Sequence, residues 1–199
     1  MKKVILFAMA VLMSLSTQAQ EREGTVTMQP RVGANLSYMD DYDKAKFGYA
    51  FGMEMEYQMT DLLSLSVALM YSDQGARDES TGLEEVVDID FVNVPIMLNC
   101  YVMPGLAVKA GVQPAFRTKT SVKYDGMKLD VDWLLSQYGA DTKMNKFMLS
   151  VPVGLSYEYN RVVLDARYNF GITDLFKGEG KMRNNVIQLT LGYKFDAAF

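Results

Sequence analysis

Four carboxylates are the residues best suited to chemistry in this sequence. Glu54 and Glu56 lie two residues apart, and Glu158 and Asp165 lie close together further along the chain. Paired carboxylates can act as general acid and base, as in glycoside hydrolysis. The alternative is structural, in which basic residues neutralise these groups in ion pairs. The basic partners expected in that case are Arg117, Arg167 and Lys109. We favour the structural interpretation, because the sequence gives no argument for a cleft of sugar size.

The sequence contains no histidine, and this absence excludes several classes of enzyme and of metal site. Ser-His-Asp and Cys-His hydrolysis and most zinc sites need an imidazole. The absence also disfavours barrel lipases, deacylases and proteases that use a histidine base. The single cysteine, Cys100, cannot form an internal disulfide and is expected to be an inert apolar residue. We therefore predict no enzyme activity, no cofactor and no metal.

Two acidic groups could bind calcium. The first contains Asp40, Asp41 and Asp43, and the second contains Asp78, Glu79, Glu84, Glu85, Asp88 and Asp90. Neither has the ligand spacing or the turn glycine of a dedicated calcium loop. Solvated loop charge is the simpler interpretation of both.

The first residues have the pattern of a secretory signal peptide. Lys2 and Lys3 precede an apolar run from Val4 to Leu15, and the small residue Ala19 marks the exit. We predict a signal peptide over 1–19 and one domain over 20–199. Without Lys2 and Lys3 the chain has 18 basic and 24 acidic residues, which argues against nucleic acid as a partner.

Alternation of apolar and polar residues with a period of two is the dominant pattern, and it predicts β-strands. It is clearest over 46–59, where seven large apolar residues alternate with small or polar ones. The predicted strands are 31–38, 46–59, 63–72, 91–102, 106–117, 147–159, 162–172 and 186–195. Beyond the signal there is no apolar stretch long enough for a membrane-spanning helix. The chain is therefore predicted to be all-β.

The strand 91–102 fits this pattern least well. Phe91, Pro95, Met97 and Tyr101 would all lie on its polar face. In addition, Pro95, Pro114 and Pro152 fall inside predicted strands, although a closed barrel has no free edge to accommodate proline. We expect β-bulges at these prolines.

Short and long connections alternate along the chain. Tight turns are predicted at Thr60-Asp61, Pro104-Gly105 and Asn160-Arg161, and long polar loops over 39–45, 73–90, 118–146 and 173–185. An eight-stranded antiparallel up-and-down transmembrane β-barrel has this arrangement, with its long loops outside the cell.

The bulky apolar face is predicted to contact lipid, because the interior of an eight-stranded barrel has room mainly for small side chains. Aromatic residues near both strand ends fit two interfacial girdles. The charged residues then lie in the lumen and pair with one another. They are Arg31, Glu54, Glu56, Lys109, Arg117, Glu158, Asp165, Arg167 and Lys194. The alternative is a soluble periplasmic barrel that holds a small apolar ligand.

The segment 129–138 contains the only tryptophan and is the one apolar stretch outside the predicted strands. It is expected to contact a partner or ligand, or to cap the barrel mouth. The candidate contact residues are Trp133, Leu134 and Tyr138.

Several runs resemble the PorT-like, or porin family, outer-membrane β-barrel proteins of the Bacteroidota type. They are RVGANLSY (31–38), FVNVPIMLNCYV (91–102), GLAVKAGVQPAF (105–116), ARYNFGITDLF (166–176) and LTLGYKF (189–195). The resemblance implies location in the bacterial outer membrane and implies that Pro95 and Pro114 are family features. It supplies no catalytic residues. The expected partners are outer-membrane lipid, the insertion machinery acting on the C-terminal strand, and an envelope protein.

Overall fold

Eleven strand segments make up the protein over the residues that the computed structural model describes, namely 22–39, 44–78, 85–124, 127–130, 145–174 and 183–197. The segments are β1 (Val26–Met39), β2 (Lys44–Gln58), β3 (Leu63–Asp78), β4 (Glu85–Asn93), β5 (Ile96–Met103), β6 (Leu106–Tyr124), β7 (Met127–Asp130), β8 (Phe147–Tyr159), β9 (Val162–Gly171), β10 (Asn184–Tyr193) and β11 (Phe195–Asp196).

These segments form a closed barrel of eight antiparallel strands. β1 pairs with β2 on one side and with β10 on the other, which closes the sheet. β4 and β5 together occupy one position, because both pair with β3 and with β6. β7 folds back on β6, and β11 continues the line of β10 along β1. The predicted all-β, eight-stranded barrel is confirmed.

The tight turns lie at the predicted places and use backbone conformations suited to them. Asn160 and Arg161 both have positive φ, 47° and 69°, as a two-residue hairpin turn with the twist of its strands requires. Gly105 has φ of 76° in the turn between β5 and β6. Strong local turn chemistry therefore sets the register of these hairpins.

The prediction of one continuous strand over 91–102 was wrong in detail, and so was the prediction of bulges at the prolines. The strand is interrupted at Val94 and Pro95. The register is nevertheless unchanged across the interruption, from Asn93↔Ala115 to Ile96↔Val112. No extra residue is inserted, so the prolines cost ladder hydrogen bonds without shifting a strand.

The long loops are shorter than predicted, because strands continue into them. β3 runs to Asp78 and β4 begins at Glu85, inside the predicted loop 73–90. β6 runs to Tyr124 and is followed by β7, inside the predicted loop 118–146. Strands that extend beyond the membrane need no apolar outer face, so these segments lack the alternation on which the prediction relied.

The outer face of the barrel wall is apolar and its inner face is largely polar and charged. On the outside, Phe51 is 49% exposed and Leu189 is 50% exposed, whereas Glu56 and Arg167 inside are 6% and 5% exposed. Phe91, Met97 and Tyr101 are buried in the interior, as the uncertain alternation of their strand indicated. The soluble alternative required apolar side chains to fill the barrel, and most of them lie outside. Among the described residues, no helix has the length and apolar character to span a bilayer.

Candidate functional site

The charged lumen is the candidate site, and its centre is a group of two carboxylates and three cations. Asp165 lies 3.1 Å from Arg31, 3.0 Å from Lys109 and 2.7 Å from Arg167. Glu54 lies 2.9 Å from Arg31, 3.3 Å from Lys109 and 3.8 Å from Arg167. We call these five residues the central cluster. All of them are almost completely buried, so each charge depends on the others for compensation.

Glycines flank Arg31 on both neighbouring strands. Arg31 pairs across the wall with Gly52 of β2 and with Gly192 of β10. A Cβ atom at Gly192 would lie 2.6 Å from Gln29 Nε2, and one at Gly52 would lie 2.7 Å from Met70 Sδ. Neither position therefore has room for a side chain while these neighbours stay in place.

A second charged group, the lower cluster, lies nearer the tight turns. Lys194 Nζ lies 2.6 Å from Glu158 and 3.1 Å from Glu56. The Tyr101 hydroxyl donates a hydrogen bond of 2.6 Å to Glu56, which also accepts from Ser64 Oγ. One cation and two hydroxyls therefore satisfy a buried carboxylate pair.

A third charged group, the upper cluster, lies toward the long loops and was missed by sequence reasoning. Lys46 pairs with Asp73 and lies 2.8 Å from Asp88. Its Nζ also donates to the backbone oxygen of Gln74, at 2.9 Å. The signal was present in the sequence, because Lys46 has the parity of Glu54 and Glu56 on the inner face of β2.

Eight of the nine residues predicted to line the lumen are buried and belong to the central or lower cluster. The exception is Arg117, which was expected to pair with the lumen carboxylates. It is half-buried near the long-loop end, where its guanidinium donates to Thr120 and its backbone N–H to Lys146. A one-residue register shift between Asp90 and Phe91, on the neighbouring strand, coincides with this change of environment.

An apolar group inside the barrel was not predicted. It contains Met39, Ala76, Ile89, Phe91, Ala115 and Met148, and Ile89 directly follows Asp88 of the upper cluster. Phe91 is 1% exposed and Ile89 is fully buried. The lumen is thus filled at successive levels by ion pairs and by packed apolar side chains.

The remaining candidates fall largely outside the described residues. Trp133, Leu134 and Tyr138 lie there, as do Asp40, Asp41, Asp43, Glu79 and Glu84. Asp88 of the acidic loop is paired with Lys46. Over the part of the chain that the structure describes, no group of three acidic or cysteine side chains is arranged to hold a metal ion.

The comparisons with known proteins agree with this geometry. The family model described as the outer membrane protein beta-barrel domain matches residues 5–195. The chain belongs to this family. No curated protein sequence matches it.

Two solved structures show the same fold. Ail, the attachment invasion locus protein of Yersinia pestis, superposes with a TM-score of 0.57 at 16% identity, over 87% of this chain and 99% of Ail. The Neisserial surface protein A superposes with a TM-score of 0.56 at 14% identity, over 85% of this chain and 97% of that protein. A structure of Ail with the heparin analogue sucrose octasulfate also matches, with a TM-score of 0.54, 13% identity and coverage of 87% and 99%.

The family and the apolar outer wall place this barrel in the bacterial outer membrane. Aromatic side chains are exposed at both ends of the wall. Those near the tight turns are Tyr57, Tyr159, Tyr193 and Phe195, and those near the long loops include Tyr38, Phe47, Phe116, Phe147 and Phe170. Phe116 and Phe147 pack edge to face with ring centroids 5.5 Å apart. Two aromatic rings around an apolar wall match the interfaces of a bilayer.

The Tyr101 hydroxyl provides a direct test of the lower cluster. We expect Tyr101→Phe to lower the free energy of unfolding by about 1.5–3 kcal/mol, because a buried carboxylate loses a charged hydrogen bond. Urea titration of the barrel in lipid vesicles measures the change. Tyr193→Phe is the matched control, since Tyr193 is 52% exposed on the outer wall. A Tyr101→Phe barrel as stable as the control would contradict the assigned hydrogen bond.

Proposed function

We propose that this protein is a structural or interaction barrel that acts through its long external loops and carries out no catalysis. The observation that supports the proposal is the filled lumen. The central, lower and upper clusters occupy the interior at three levels, and their carboxylates are held by cations rather than open to a substrate. Since the described part of the lumen is filled in this way, the outer surface and the loops are left for function.

An envelope protein is the partner that we propose for the loops. The segment 73–90 contains seven acidic residues and one basic residue, and five of the seven remain when Asp73 and Asp88, which Lys46 holds in the upper cluster, are left out. The segment 118–146 contains five basic and four acidic residues. The acidic loop favours a partner with a cationic surface. Ail has been crystallised with a sulfated heparin analogue, and the strongly acidic loop of this chain makes such an anion a poor match.

We further propose that residues 1–19 are a signal peptide and that the insertion machinery binds the C-terminal strand. Ala197 and Phe199 continue the outward parity of Phe195, which is 36% exposed on the wall. Within the family, we assign the chain to the PorT-like group on the runs around Pro95 and Pro114. N-terminal sequencing of protein purified from outer membranes tests the cleavage, with a mature start near Gln20 as the expected result.

Photo-crosslinking in intact cells tests the loop function. A photoreactive residue placed at Trp133, Leu134 or Tyr138, all outside the described residues, is expected to give a discrete protein adduct. The same residue placed at Leu62, which is 60% exposed at a tight turn, is the control and should not give that adduct. Adducts from none of the loop positions would contradict the proposal. So would a steady single-channel conductance of the purified barrel in a planar bilayer.

A further inference from the structure

A pocket in the outer half of the lumen is lined by five amide side chains, one serine and several apolar residues. It lies beside the apolar group, where β3, β4, β6, β8, β9 and β10 face one another. The polar side chains around it are Gln74, Asn93, Gln113, Ser150, Asn169 and Asn184. The apolar side chains around it are Phe91, Ala115, Met148, Leu149 and Val186. None of the three charged clusters contributes an ionised side chain to this lining.

The amide donors in this pocket are largely used, and two acceptors are not. Asn184 Nδ2 donates to Gln74 Oε1 at 2.6 Å, and Asn93 Nδ2 donates to Ser72 Oγ at 2.6 Å. In contrast, the Oδ1 atoms of Asn169 and Asn184 have no hydrogen-bond partner in the protein. Asn169 is 3% exposed and Asn184 is 7% exposed. Both residues line this pocket, and a buried carbonyl oxygen without a partner calls for a hydrogen-bond donor.

The size of the pocket decides which donor it can hold. The volume that water can occupy there is about 20 Å³. One water needs about 10–15 Å³ on this measure, so a single water fits, and a sugar or a lipid headgroup does not. A water has two protons to donate, which matches the two unused acceptors.

We propose that this pocket is a binding site for one ordered water, held by the Oδ1 atoms of Asn169 and Asn184. The water connects β9 to β10 in the interior, above the ion pairs of the central cluster. It completes the polar interior with a neutral donor at the level where the lumen changes from charged to apolar packing. The site does not depend on the role of the external loops.

Magnetisation transfer from water to the protein, followed by NMR on the barrel in nanodiscs, tests the site. We expect a cross-relaxation signal of a long-lived water at the side-chain amide protons of Asn184. The variant Asn169→Leu has a similar volume and removes one acceptor, so it should abolish that signal. Ser66→Ala is the control, because Ser66 Oγ is also buried without a partner but does not line the pocket. It should leave the signal unchanged.

Two results would overturn the proposal. One is the lack of any water signal at Asn184 in the unaltered protein. The other is a signal that persists at full strength in Asn169→Leu. Should that variant fail to fold, a high-resolution crystal structure of the unaltered barrel tests whether the water is present. Density for a water between the two Oδ1 atoms supports the site, and an empty pocket contradicts it.

Discussion

Replacing Asp165 by asparagine is expected to destabilise the barrel by about 3–5 kcal/mol, the usual cost of breaking a buried ion pair. The side chains have nearly the same shape, so the change removes a charge and leaves the packing in place. Arg31, Lys109 and Arg167 would then face Glu54 as their single remaining carboxylate in the central cluster. Reversible urea unfolding in lipid vesicles, followed by gel mobility of the folded form, measures the loss.

An exposed aspartate provides the matched control for this experiment. Asp196 lies 3.0 Å from Arg161 at the tight-turn end, and both side chains are about half exposed. We expect Asp196→Asn to cost no more than about 1 kcal/mol, since solvent screens such pairs. A second variant adds Lys109→Gln to Asp165→Asn and should recover part of the loss, because it removes one excess cation. Equal stability of Asp165→Asn and the unaltered barrel would show that the central cluster does not hold its charges as described.

Placing a charge on the outer wall is expected to have a comparable effect for a different reason. Leu189 is 50% exposed in the middle of β10, between Ala34 and Ala166 of the neighbouring strands. We expect Leu189→Arg to lower the unfolding free energy by about 2–4 kcal/mol, the cost of arginine at the bilayer midplane on a barrel surface. The same urea titration in vesicles measures it.

The control for the outer wall is a leucine of similar exposure beyond the apolar band. Leu62 is 60% exposed beside the turn at Thr60 and Asp61. Leu62→Arg should cost about 0–1 kcal/mol, because arginine is tolerated near the membrane interface. If the two variants lose the same stability, position 189 does not lie in hydrocarbon and the assignment of the outer face fails.

The strands and their sidedness could be predicted from the sequence because both depend on local alternation. In β2, every second residue from Phe47 to Tyr57 is large and apolar. These six residues together fix which face of the strand is apolar, and this does not depend on the neighbouring strands. The same parity placed Glu54 and Glu56 inside. It also places Lys46 on the inner face, since the alternation begins at Lys46, although Lys46 was not included among the predicted lumen charges.

The pairing of the charges could not be predicted, because it depends on contacts across the lumen. Arg31 meets Asp165 from a strand 134 residues away only because β1 and β9 both flank β10. Parity alone assigned Arg117 to the same interior, whereas the register shift beside Phe91 changes its surroundings. The alternation did place Phe91 on the polar face of its strand, but the packing of Phe91 and Ile89 with Met148 from another part of the barrel was missed, because it too depends on contacts across the lumen.

The prolines show where a general rule was applied too strictly. In an antiparallel wall the N–H of a residue points to one neighbour, so a proline removes a single ladder bond. Its carbonyl oxygen still accepts, as Pro114 does from Val94 N–H at 2.8 Å and Pro95 from Ala68 N–H at 3.0 Å. The wall therefore keeps its register without the bulges that we expected.

The sidedness of the wall can be tested most directly at the single cysteine. Cys100 is exposed on the outer face of β5, between the exposed side chains of Leu98 and Val102. A nitroxide label on Cys100, with the barrel folded in lipid vesicles, reports collisions with oxygen dissolved in lipid and with a water-soluble nickel complex. We predict that oxygen collisions dominate, as they do for a label in hydrocarbon. Dominant collisions with the nickel complex would contradict the account.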